Sequence, residues 1–101
     1  MTGGSSAGAT VNLPAPLRAR AGKRASVRAQ GGTVRAIISD LDRQFPGMRA
    51  QLCEETGKLR PFVNIFLGED NVRDLAGLDT PVSDDATIYV LLSVAGGGGT
   101  W

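Results

Sequence analysis

Val34, Ile37, Ile38, Leu41 and Phe45 fall at i, i+3, i+4, i+7 and i+11, the spacing that puts apolar side chains on one face of a helix. It is the strongest periodic signal in the chain. Thr33 is a suitable N-cap, and Pro46-Gly47 a suitable stop, so a helix is predicted from about Thr33 to Gln44. At ~1.5 Å per residue it is roughly 18 Å long. One such stripe needs one apolar sheet face to cover, which makes a two-layer α+β arrangement the natural fold class.

The strands come from period two. Val11 and Leu13 mark a first strand within Ala9 to Leu17, broken by Pro14 and Pro16. Arg18 to Lys23 reads as a turn. Ala25, Val27 and Ala29 then alternate with Arg24, Ser26, Arg28 and Gln30 in a half-buried strand that forms a hairpin with the first. Met48 to Leu59 is mixed, a helical turn followed by a loop. Val63, Ile65 and Leu67 share one face of a strand from Phe62 to Leu67, and Gly68-Glu69-Asp70-Asn71 turns it back. Val72 to Asp85 reads as a long wrapped connection carrying Val72, Leu75, Leu78 and Val82. In the last strand, Thr87 to Ser93, Ile88, Val90 and Leu92 face one way and Tyr89 and Leu91 the other. The predicted core is Val11, Leu13, Val27, Val34, Ile37, Ile38, Leu41, Val63, Ile65, Ile88 and Val90. First and last strands are expected side by side and parallel, joined by a right-handed crossover.

Composition excludes much chemistry. The 101 residues hold no His and one Cys, Cys53, with a net charge of +1. Without His the commonest general base and metal ligand is missing, together with any Ser-His-Asp or Cys-His arrangement. One Cys permits no internal disulfide, no cysteine zinc site and no iron–sulfur cluster, which removes a β-grasp ferredoxin. Glu54 and Glu55 should raise the Cys53 thiol pKa, so it is expected to be a packed residue and not a nucleophile. A self-contained enzyme is disfavoured and no metal is expected. Near-neutral charge gives no case for nucleic acid or an anionic membrane. Arg18, Arg20, Arg24 and Arg28 could form a patch for phosphate or an acidic partner, or a solvated strand face and loop. No stretch approaches the ~20 apolar residues of a membrane span, and residues 1–8 have no secretion signal, so the cytoplasm is the expected compartment.

The chain divides into residues 1–8, Gly/Ser/Ala-rich and expected to be disordered, a domain from 9 to 93, and a glycine-rich tail from 94 to 101. The tail reads Val94-Ala95-Gly96-Gly97-Gly98-Gly99-Thr100-Trp101. A glycine backbone can thread a narrow slot and approach another surface closely. Such a tail is useful if its end is the reactive group; otherwise it is a floppy, low-complexity terminus. On the domain itself, Phe66, Tyr89 and Leu91 point away from the helix and predict a small apolar partner-binding face, unless the long connection covers it.

Four stretches together resemble the MoaD/ThiS family of ubiquitin-like sulfur carriers. They are Phe62-Val63-Asn64-Ile65-Phe66-Leu67-Gly68-Glu69-Asp70-Asn71-Val72-Arg73, Gly77-Leu78-Asp79-Thr80, Asp84-Asp85-Ala86-Thr87-Ile88 and Val94-Ala95-Gly96-Gly97; Ala36 to Leu41 is similar as well. The resemblance covers roughly residues 9–97. It implies a ubiquitin-like β-grasp, a mixed sheet crossed by one main helix, with a flexible tail. It also implies that an E1-like adenylyltransferase/sulfurtransferase, using ATP, adenylates the Gly97 carboxylate, with Gly96 beside it. Sulfide or a persulfide then displaces AMP to give a thiocarboxylate. The chain would be a monomeric carrier binding no cofactor, with acceptors such as cysteine synthase. The same activation would serve a protein modifier that forms isopeptide bonds to lysine.

Two features depart from the family pattern. A proline often precedes Val-Ala-Gly-Gly, whereas Leu92-Ser93 stands here, which implies a looser tail exit. The family's mature end is the second glycine, here Gly97, whereas this chain continues through Gly98, Gly99, Thr100 and Trp101. That extension implies trimming by a JAMM-type metalloprotease, after Gly97 or, because Gly99 also ends a diglycine, after Gly99.

Overall fold

The computed structural model describes residues 8–93. The expectations for residues 1–7 and for the tail, 94–101, lie outside the described residues.

Alternation builds the sheet. In β1 (Gly8–Asn12) Ala9 and Val11 face the core; in β2 (Ser26–Gln30) Val27 and Ala29 do, while Ser26, Arg28 and Gln30 face water. The two strands pair antiparallel, with Val11 opposite Val27. β5 (Ala86–Leu92) lies parallel to β1, with Val11 opposite Ile88. β3 (Val63–Leu67) pairs antiparallel with β5, placing Ile65 opposite Val90 and Phe66 opposite Tyr89. A two-residue strand, β4 (Asp70–Asn71), completes the five-stranded order β2-β1-β5-β3-β4. First and last strands are thus parallel neighbours, as expected.

α2 (Val34–Gln44) covers the sheet. Thr33 caps it: its Oγ1 accepts from the Ala36 N–H at 3.1 Å. Val34, Ile37, Ile38 and Leu41 are buried in one cluster with every other residue of the predicted core. Leu17, Met48, Leu52, Val72 and Val82 join them. Asp40 fastens the helix to β2. Its Oδ2 accepts from the Gln30 N–H at 2.9 Å and from Gln44 Nε2 at 2.8 Å, while Arg43 closes on Oδ1. Burial pushes this carboxyl up, but these donors outweigh it and hold it below its ordinary range. The fastening is therefore intact above the ordinary carboxylate value and weakens as pH falls through the depressed one.

Close approach fixes the junction between β2 and α2. A Cβ on Gly31 would lie 2.6 Å from the Ala36 Cβ and 2.8 Å from both the Ala36 carbonyl carbon and the Ile37 nitrogen. Two of those neighbours are helix backbone and cannot swing aside. Gly31→Ala should therefore destabilise the fold by about 1–3 kcal/mol, read as a lower urea midpoint at unchanged m. An unmoved midpoint would show that the helix can slide away from β2.

Three segments differ from the expectation. Arg18 to Lys23 is not simply a turn. A short helix, α1 (Ala15–Arg18), runs into a 3-10 turn (Ala19–Ala21), burying Leu17 and Ala21 under the hairpin. Pro16 lies in the first helical turn, where a fixed φ fits and the missing N–H is not needed. The strands are correspondingly shorter, β1 ending at Asn12 and β2 starting at Ser26. Of the turn Gly68 to Asn71, only Gly68-Glu69 turns; Asp70 and Asn71 pair with Leu67 and Phe66. Gly68, at φ +64°, takes the first position of this two-residue hairpin loop, which favours glycine. The long connection winds through two 3-10 turns, Val72–Asp74 and Gly77–Asp79, held by buried Val72, Thr80 and Val82. Leu75 contributes little to it, being 49% exposed. The last helix, α3 (Met48–Leu52), seats Met48 and Leu52 in the core. The whole is a ubiquitin-like β-grasp.

Candidate functional site

The tail leaves from the end of β5, so the site is built around that end. Ile88 and Val90 are buried; Tyr89 and Leu91, between and beyond them, are 43% and 48% exposed. Register carries Tyr89 into a row across the outer face: Asn12, Tyr89, Phe66, Asn71. Leu91 follows in the next row, opposite Asn64. Phe66, half-buried, fills the space beside Tyr89. The three residues predicted for a partner face thus lie together, and the long connection leaves Tyr89 and Leu91 open.

Beyond Leu92 the pairing continues by one residue. The Ser93 N–H donates to the Phe62 carbonyl at 2.7 Å. Asn64 Nδ2 donates to Ser93 Oγ at 2.9 Å, and Asn71 Nδ2 donates to Asn64 Oδ1 at 3.4 Å. Asn71 Oδ1 in turn accepts from the Arg73 N–H at 2.9 Å, capping the Val72–Asp74 turn. Past the short β4, Arg73 Nη2 donates to the Val63 and Arg60 carbonyls at 2.7 and 2.8 Å. It fills the edge of β3 that β4 is too short to pair. The looser exit implied by the missing proline concerns residues 94–101, which lie outside the described residues. Ser93 is pinned through its N–H, a donor that proline lacks, and through its hydroxyl.

The sequence marked Ser93 only as a departure from proline, and Asn64, Asn71 and Arg73 only as part of a family-like stretch; it gave none of them a role at the tail's root. Their partners are set by strand register, which the sequence does not display. Val94, Ala95, Gly96, Gly97, Gly98, Gly99, Thr100 and Trp101 lie outside the described residues; the structure gives the root from which they extend.

Elsewhere the chemistry is quiet. Cys53 is 5% exposed. Burial pushes its thiol up, against the pull of Arg49, Arg35 and Arg60. Burial, and not Glu54 and Glu55, is thus what raises it. Iodoacetamide at neutral pH should alkylate Cys53 at least about tenfold more slowly in the folded protein than in urea-unfolded protein; equal rates would mean an accessible thiolate. Of the four arginines in the first hairpin, Arg18 donates to the Leu13 carbonyl at 3.0 Å in a part-buried bond, and Arg28 pairs with Asp85 at 3.3 Å across exposed surface. Among the described residues no group of three or more His, Cys, Asp or Glu side chains could hold a metal, and no helix is long and apolar enough to cross a membrane.

The profile of the ThiS family matches residues 11–97, from β1 to the second glycine of the tail. The chain belongs to the ThiS family. It is 40% identical over 90 residues to the sulfur carrier protein CysO of Mycobacterium tuberculosis, covering 87% of this chain and 97% of that one. Among solved structures, a chain of the Amycolatopsis orientalis BexX/CysO complex superposes with a TM-score of 0.82 at 39% identity, covering 88% of this chain and 99% of that one. SAMP1 of Methanosarcina acetivorans, a small archaeal modifier protein, gives a TM-score of 0.77 at 30% identity, with 93% and 100% covered. As a ThiS-family chain this one shares with them the β-grasp fold.

Proposed function

We propose that this chain is a sulfur carrier whose working end is Gly97. The observation that carries the reading is the family match, which runs through the whole domain and ends at Gly97, on a tail whose root is fastened to the sheet. After removal of Gly98 to Trp101 by a JAMM-type metalloprotease, the Gly97 carboxylate attacks the α-phosphorus of ATP on an E1-like enzyme and pyrophosphate leaves. Sulfide then attacks the acyl carbon and expels AMP, leaving a thiocarboxylate. The thiocarboxylate sulfur bonds to the acceptor enzyme's substrate, in the cysteine synthase mould; water then cleaves the acyl–sulfur bond, and the chain returns with a carboxylate. The chain supplies no acid, base or cofactor to these steps; ATP and the sulfur source act on the activating enzyme, in the cytoplasm. Glycine at positions 96 and 97 leaves the acyl carbon unshielded in a narrow tunnel. This is group carriage, with the hard chemistry done elsewhere.

Intact mass after incubation of the trimmed chain with the cognate E1-like enzyme, ATP and sulfide tests it. One oxygen exchanged for sulfur is expected, and an unchanged mass with an enzyme that charges its own carrier would refute it. The likeness to SAMP1 keeps a second reading in view, a modifier joined through the same glycine to lysine. Its mark would be ATP-dependent conjugates that survive a denaturing gel.

The outer face is where the enzymes would dock. Phe66→Ala and Leu91→Ala should each raise KM for the carrier about 5- to 30-fold at unchanged kcat, the range of a truncated hot spot. Unchanged KM for both, with each variant as stable in urea as the parent, would place the interface elsewhere.

A further inference from the structure

We propose that Asn64 and Ser93 are positioning residues for the tail, fixing where and in what direction it leaves the sheet. This role presupposes the carrier function proposed above and adds to it a device on the domain itself.

The strands β3 and β5 pair from Leu67 opposite Ile88 to Val63 opposite Leu92, and the ladder should fray there. A single terminal backbone bond in water holds little, because Ser93 is exposed and solvent competes for it. The second tether, from Asn64 to the Ser93 hydroxyl, changes that. Asn64 is no free side chain: its Oδ1 is engaged by Asn71, whose backbone pairs with Phe66 and whose Oδ1 caps the following turn. The polar chain therefore runs from the far edge of the sheet to Ser93. Asn64 itself stands on β3 between Val63 and Ile65, both buried in the core.

The consequence is geometric. Gly97 is four residues past Ser93, within about 13–14 Å of it at ~3.3–3.6 Å per residue. With Ser93 fixed, the carboxylate searches only that radius, in a direction set by β5. If the ladder frays back to Leu91, the free segment grows from four residues to six. Effective concentration at the adenylation site falls by about twofold from length alone. The lost direction lowers it further, since only productively oriented encounters react. Asn64, opposite Leu91 on the docking face, can add a KM effect of its own. Ser93 lies past the end of the ladder, so its truncation leaves that face intact and its loss belongs in kcat and not in KM. That separates it from truncation of Phe66 or Leu91.

The test combines an exchange measurement with kinetics. In Asn64→Ala, solvent exchange of the Ser93 amide, followed by NMR, should speed about fivefold, one hydrogen bond's worth. The Ile65 and Val90 amides and the urea midpoint should hold. ATP-dependent thiocarboxylate formation by the Gly97-ended chain should lose about threefold to tenfold in kcat. Ser93→Ala, which leaves the strand face intact, should match that loss at constant KM, and the double variant should be no worse in kcat than either single, because both remove one link. Asn64→Asp should restore most of the rate, since Ser93 can then donate its hydroxyl proton to the carboxylate. Unchanged Ser93 exchange, or faster exchange with undiminished kcat, would overturn the proposal. Faster exchange in a series whose parent gains no sulfur at all would leave the tether standing and remove the carrier function instead.

Discussion

A chain ending at Gly97 should form thiocarboxylate at least about 100-fold faster than the chain ending at Trp101, given the same E1-like enzyme, ATP and sulfide. The expectation follows from where the carboxylate sits. In a chain ending at Trp101 it lies four residues past Gly97 and so up to ~13–14 Å further along an extended chain. An acyl carbon misplaced by even 1 Å can lose about 100-fold in rate, and the indole ring would have to pass a tunnel shaped for glycine. The Gly99-ended chain is the discriminating case. It offers the same diglycine end but carries it two residues deeper. The fastened root at Ser93 sets the origin of that distance, and the family match ends at Gly97. The Gly99 form should therefore fall well below the Gly97 form. Intact-mass time courses of the three chains decide it. Full-length protein reacting as fast as the Gly97 form, with no trimming seen, would end the precursor idea; a faster Gly99 form would move the cut.

The device at the root also shows which parts of such a site a sequence can display. The outward placement of Phe66, Tyr89 and Leu91 was legible because period two survives into the sheet unchanged. α2 was legible because its stripe is both long and strictly spaced. The anchor at Ser93 was not. Its partner Asn64 lies 29 residues away, and the pair meets only because β3 and β5 adopt one register. β4 was hidden for a related reason: Asp and Asn are poor strand formers, and the hairpin at Gly68 imposes their pairing from outside. α1 was hidden by its own prolines, which signal a broken strand and a helix start equally well until the chain's path is known. Cys53 makes the same point for electrostatics. Its neighbours in sequence are carboxylates, yet the charges acting on it in space are arginines, and burial outweighs them.

Ile38→Ala should destabilise the domain by about 2–5 kcal/mol, the range for emptying a buried aliphatic site. The residue is 4% exposed, on the stripe by which α2 covers the sheet. Domains of this size are held by about 5–15 kcal/mol in total, so the loss is a large fraction and shows at once as a lower urea midpoint. Helix propensity cannot account for it, because alanine is the better helix former and its intrinsic effect is of opposite sign. Ile38→Val should lose only about 0.5–1.5 kcal/mol, since one methylene is removed and the branch is kept. Leu75→Ala is the matched control: the same kind of truncation at a residue 49% exposed should stay within about 0.5 kcal/mol. If Ile38→Ala and Leu75→Ala lose equal amounts, the α2 stripe is not what closes the core. The pinned root at Ser93 would then rest on a sheet with no firm backing, because the same core that buries Ile38 buries Val63, Ile65 and Val90 beneath the tail's last anchor.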